Sequence, residues 1–158
     1  MGVSMAWLAA LLLAAQAPVT EPTSPLLGSW AVDVTRLPMP PEARPKKVTF
    51  TFAPAAPGAW TTHVDIYGGD GSERHMVATN ALDGTPGAIT GDQMEADTVA
   101  AKLPAPNVMV MQLAKGGVPA STRVYTVAPD GKTMIETAAY VGPDGKPLLR
   151  TNYFSRIK

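Results

Sequence analysis

The sequence predicts an all-β domain, an antiparallel up-and-down meander of eight or nine strands closed into a barrel. Three observations carry that prediction. Apolar residues alternate with a period of two: in residues 46–52 (KKVTFTF), Lys46, Val48, Phe50 and Phe52 fall on one side and Lys47, Thr49 and Thr51 on the other. Turn pairs recur at intervals, as Asp70-Gly71, Asp83-Gly84, Asp130-Gly131 and Asp144-Gly145, with Gly116-Gly117 filling another gap. The 14 Gly and 16 Pro among 158 residues interrupt helices and punctuate turns, and the best helical window, residues 93–101, is short and acidic.

The chain begins with an uninterrupted apolar run, residues 5–17 (MAWLAALLLAAQA), too short for a comfortable membrane span. It ends in Ala14-Ala15-Gln16-Ala17, the small-residue pattern of a signal-peptide cleavage region, although no Lys or Arg precedes the run. Residues 1–17 are therefore expected to be a signal peptide, giving a periplasmic or secreted protein with no stable membrane span after cleavage. Residues 18–25 (PVTEPTSP) form an extended spacer, and a single barrel domain follows over 26–158.

Within that domain, strands are expected near 28–34, 46–53, 59–67, 72–80, 97–103, 107–114, 118–128, 132–141 and 146–157. Closing such a meander into a barrel removes exposed sheet edges, with a two-sheet sandwich as the alternative. The tetrapeptide Pro-Asp-Gly-Lys occurs twice, at 129–132 and 143–146. Pro presets the first corner of a hairpin loop, Asp supports the second, and Gly takes the left-handed conformation of a G1 bulge. The repeat therefore marks two turns and not a binding site.

Composition narrows the function. Lys+Arg and Asp+Glu both total 13, so the chain lacks the basic excess that a nucleic-acid binder uses to displace counterions. With no cysteine, disulfides, thiolate catalysis and Cys-type zinc sites are excluded. The sequence has no Gly-x-Ser-x-Gly elbow, no phosphate-cradling loop and no cofactor motif. Its 6% aromatic content argues against carbohydrate or nucleobase stacking.

Residues 26–34 (LLGSWAVDV) place Gly28-x-Trp30 on the first strand, and the motifs LDGTPGAITG (82–91), ADTVAAK (96–102) and APDGKTM (128–134) follow, with an aromatic and basic C-terminus. This order resembles a family of small exported bacterial lipocalin-like proteins, most of them uncharacterised. The resemblance implies a calycin-type barrel whose Trp30 closes one end beneath an arginine of the last strand, Arg156 or alternatively Arg150. It brings no established catalytic residues.

Three candidate sites remain. In residues 107–113 (NVMVMQL), Met109 and Met111 alternate with Val108 and Val110; with Tyr125, these inward residues either fill the barrel or line an adaptable apolar cavity. The two histidines lie in one predicted hairpin, residues 62–78. With Gly69-Asp70-Gly71 as its loop, Asp65 faces His75, Tyr67 faces Glu73 and His63 faces Val77. His63, Asp65, Glu73 and His75 then share a face that could hold a divalent metal or set up an Asp65–His75 general base, or is simply a solvated outer surface; a slip of one residue would separate the histidines. The third candidate, residues 92–97 (DQMEAD), carries three acids without calcium-loop spacing and reads as a solvated loop.

The leading expectation is a non-catalytic exported barrel that binds a small apolar or amphipathic ligand and uses no cofactor. The alternatives are a filled barrel acting through surface contacts and a metal-assisted enzyme at His63 and His75.

Overall fold

Alternation along the chain becomes ten antiparallel strands in the computed structural model, which describes residues 23–157. They are β1 (Gly28–Val32), β2 (Lys47–Ala56), β3 (Ala59–Tyr67), β4 (Glu73–Ala81), β5 (Gly87–Gly91), β6 (Thr98–Ala105), β7 (Val108–Lys115), β8 (Val118–Val127), β9 (Thr133–Val141) and β10 (Pro147–Arg156). Each pairs with its successor, and β1 also pairs with β10, so the meander closes into a barrel. The expected signal peptide lies outside the described residues. No helix among the described residues is long and apolar enough to cross a membrane.

The tenth strand, absent from the sequence expectation, is β5. It is five residues long, glycine at both ends, and follows directly on a Gly/Pro-rich turn. It bonds β4 from Met76 to Ala78 and β6 only at Val99 and Thr98. At Gly91, φ is +86°, and a Cβ would stand 2.1 Å from the His75 carbonyl oxygen, so only glycine lets β5 come this close to β4. Beyond the end of β5, the Asn80 side chain bridges to the Val99 carbonyl at 2.7 Å and ties β4 directly to β6.

The two Pro-Asp-Gly-Lys turns lie at opposite ends of the barrel. The second is a three-residue loop, closed by Gly142 N–H donating to the Lys146 carbonyl at 2.8 Å. The first is one residue longer: Ala128 N–H reaches the Thr133 carbonyl instead, and the Lys132 carbonyl accepts from the Arg156 N–H at 2.9 Å. One tetrapeptide thus makes two different loops, and the longer one is bonded to the end of β10.

The barrel is filled unevenly. Toward the end capped by the first Pro-Asp-Gly-Lys turn, Leu26, Trp30, Phe52, Met109, Val127 and Met134 are fully buried and pack together. The opposite end is rimmed by the β1–β2 connection, which holds two 3-10 turns at Val34–Arg36 and Pro41–Ala43, and by the β5–β6 loop over residues 92–97. Arg36 stacks on the outward ring of Tyr153, 3.2 Å from its centroid, and fastens the β1–β2 connection to β10.

Candidate functional site, an apolar cavity with a polar wall

Side chains of one parity on each strand point into the barrel, and in its open half they leave a cavity of about 290 Å³. Val48 and Phe50 on β2, Val64 and Ile66 on β3, Met76 and Ala78 on β4, and Val99, Met111 and Leu113 on β6 and β7 form its apolar wall. Its floor is an aromatic cluster. Phe50 meets Phe154 edge-on at 5.2 Å between centroids, and Tyr125 lies 6.0 Å from Phe50 and 6.3 Å from Phe154.

One side of the cavity is polar. Glu136 on β9 is 1% exposed, and both its carboxylate oxygens are engaged. Arg123 Nη1 donates to Oε1 at 2.6 Å, the Tyr125 hydroxyl donates to the same oxygen at 2.9 Å, and Asn152 Nδ2 donates to Oε2 at 2.6 Å. The three donors come from β8 and β10, either side of β9, so the barrel wall itself builds the site. Burial, and then the charge of Glu136, push the Tyr125 hydroxyl well above its ordinary pKa, keeping it a donor. Burial works against the charge on Arg123, but its acidic neighbours Tyr125, Glu136 and Glu95 together outweigh it and hold its pKa above the ordinary value.

The loop over residues 92–97 is not simply solvated, contrary to the sequence reading. Each of its acids has a partner. Asp92 pairs with Arg74 at 3.5 Å, Asp97 accepts the Gly116 N–H at 2.8 Å, and Glu95 reaches into the mouth to accept Arg123 Nη2 and, at 3.1 Å, the Ser121 hydroxyl. Met94 at the tip is 74% exposed and overhangs the cavity.

The candidates from the sequence are distributed as follows. Met111 and Tyr125 line the cavity, whereas Met109 does not: it sits one inward position deeper, in the packed half. Trp30 pairs in register with Arg156, whose guanidinium lies 4.1 Å from the indole centroid; Arg150 instead stacks 5.2 Å from Tyr140, near the opposite end of β10.

The β3–β4 hairpin has Asp65 opposite His75, Tyr67 opposite Glu73 and His63 opposite Val77. Its four candidate side chains share the outer face but do not assemble into a metal site. His75 places Nδ1 2.7 Å from an Asp65 carboxylate oxygen and Nε2 3.3 Å from one of Glu73, so both its nitrogens are engaged, and His63 stands apart opposite Val77 and Thr51. Among the described residues, no group of three or more His, Asp or Glu is placed to hold a metal ion. Hydrogen bonds first to Asp65 and then to Glu73 raise the His75 pKa, favouring the imidazolium.

The polar wall itself escaped the sequence reading. Arg123, Glu136 and Asn152 share the inward parity of Tyr125, Met134 and Phe154, and a charge on the apolar side of a strand was the available signal. Comparison with family models, with curated proteins and with solved structures returns no match.

Proposed function

We propose that this protein is an exported, lipocalin-like carrier that holds a small, largely apolar molecule in the open half of its barrel, without catalysis. The observation that carries the reading is the 290 Å³ cavity, apolar on most of its wall and reached through a rim of two loops. Its size lies at the small end of the range for ligand pockets, which suits a compact guest. The lipocalin likeness is supported by Arg156 stacked on Trp30 of the Gly-x-Trp stretch. Export is supported by the apolar run and Ala-rich end of residues 5–17.

Calorimetric titration with 1-octanol tests the carrier reading. Binding with a negative heat-capacity change is expected, as apolar surface is buried. Ala78→Phe, which places a ring in the cavity, should abolish binding while the melting transition persists. Failure of octanol, octanoate and octylamine alike to bind the wild-type chain would overturn the reading.

A further inference from the structure

We infer that the guest carries a single acidic head, and that this head docks on Arg123 by taking the place of Glu95. The inference rests on the carrier reading above and names the chemistry of its ligand.

Arg123 is a guanidinium on the wall of an apolar cavity, its side chain 19% exposed, and it holds two carboxylates of different kinds. Glu136 is fixed: it is 1% exposed, belongs to β9, and is locked from both sides by Tyr125 and Asn152. Glu95 is loosely placed: it comes from the loop at the rim, and its side chain is 51% exposed. Arg123 Nη2 and the Ser121 hydroxyl both donate to one oxygen of Glu95. Two donors at the edge of an apolar cavity, satisfied from the loop rather than the wall, form a carboxylate cradle occupied by the protein's own side chain.

Exchange of carboxylates fits the charges. Arg123 with Glu136 is neutral, and adding Glu95 makes the group −1. A monoanionic head that displaces Glu95 leaves that balance unchanged and keeps both donors paired, while Glu95, already half in water, is rehydrated at little cost. An acid arriving without displacement would meet a site that is already −1. A neutral head could accept from the Arg123 fork only by stripping a buried cation of its second carboxylate. An ammonium head would find the carboxylates of the cavity already taken, Asp92 by Arg74 and Glu95 and Glu136 by Arg123, and could reach one only by breaking such a pair.

The displacement would also free the loop. Glu95 is one of its tethers, beside Asp92 on Arg74 and the Lys115 ammonium on the Gln93 carbonyl at 2.7 Å. Acid binding is then coupled to loosening of residues 92–97.

The test compares octanoate, octanol and octylamine on the full chain and on two variants. Octanoate should bind roughly tenfold more tightly than octanol, the scale of one charge-assisted hydrogen bond. E95Q removes the internal competitor's charge and should tighten octanoate several-fold with octanol unchanged. The double variant Arg123→Met/Glu136→Leu, which leaves no charge buried in the wall and releases only the half-exposed Glu95 to water, should bring octanoate down to the level of octanol. Amide exchange in residues 92–97 should quicken with octanoate and not with octanol. Octanol binding as tightly as octanoate, octylamine binding more tightly, or E95Q leaving octanoate unchanged would overturn the inference while the carrier reading stands. Absence of binding by all three probes would overturn the carrier reading itself.

Discussion

Arg156 lies over the indole of Trp30 with its guanidinium carbon 4.1 Å from the ring centroid, and the two residues are register partners across the β1–β10 seam. The same guanidinium donates Nε to the Gly131 carbonyl at 2.7 Å, Nη1 to the Leu27 carbonyl at 2.7 Å, and Nη2 to the Pro25 carbonyl. One side chain therefore joins the last strand, the β8–β9 turn and the segment that enters β1. Arg156→Ala should cost about 3 kcal/mol in urea unfolding, summing a cation–π contact and charge-assisted bonds to carbonyls. Arg156→Lys should recover only a minor part, since an ammonium cannot present the same planar fork.

Removing Glu136 leaves Arg123 only the half-exposed Glu95 of the rim loop. Glu136→Ala leaves the largely buried Arg123 without its fixed partner and should destabilise the barrel by about 3–5 kcal/mol. The double replacement Arg123→Met/Glu136→Leu should regain most of that loss, because breaking a buried pair costs more than replacing it with apolar groups. A double-mutant cycle followed by denaturant midpoints measures the coupling directly.

On the outer wall, His75 should titrate above its ordinary pKa of 6.5 because Asp65 and Glu73 favour the imidazolium. The sign follows from that direction. The folded form binds the proton more tightly than the unfolded chain, so the stabilisation is complete below the unfolded value and fades as pH rises through the folded one. An NMR titration of the imidazole checks the shift, and Asp65→Asn should lower it. Zinc should leave the melting midpoint of the wild type unchanged, since neither His75 nitrogen is open.

Gly91→Ala places a methyl group against the His75 carbonyl at a positive φ. A loss of at least about 2 kcal/mol is expected. Faster amide exchange should follow on β5 before any other strand, because it is held by only three register pairs to β4 and two to β6.

The repeated turn offers an internal control. Two glycines inserted between Asp144 and Gly145 should shift the melting midpoint little, since that loop is exposed and closes only on itself. The same insertion between Asp130 and Gly131 should be strongly destabilising, because it displaces the carbonyls of Gly131 and Lys132 that Arg156 uses.

Much of the scaffold was legible because it is written in local rules. Period-two alternation located nine strands, and of the two β3–β4 registers left open, the one with Gly69-Asp70-Gly71 as the loop and Asp65 opposite His75 is the one the barrel adopts. β5 was hidden since five residues between glycines carry too little alternation to distinguish a strand from a turn. Parity put Met109 and Met111 on the inner face, but which of them meets empty space depends on how far the aromatic floor rises, a property of the closed barrel. The Arg123–Glu136–Asn152 wall was out of reach for a similar reason. Its members sit on three successive strands, and only pairing in register brings them within hydrogen-bond distance. Glu95 is harder still, because a loop's reach over the mouth follows no periodicity.

The seam between β1 and β10 also governs the order of events in folding. Arg156 and Leu27 are bonded across 129 positions of chain, and β1 completes its ladder only by pairing with β10. Closing so long a loop is entropically costly and rewards the chain only at the finish, the regime in which β topologies fold slowly. Until β10 docks, β1 and β9 each present an unpaired edge, and the apolar interior lies open to water. The barrel is thus a latch that springs shut last, and a nascent chain lacking its final strand is the species most exposed to aggregation.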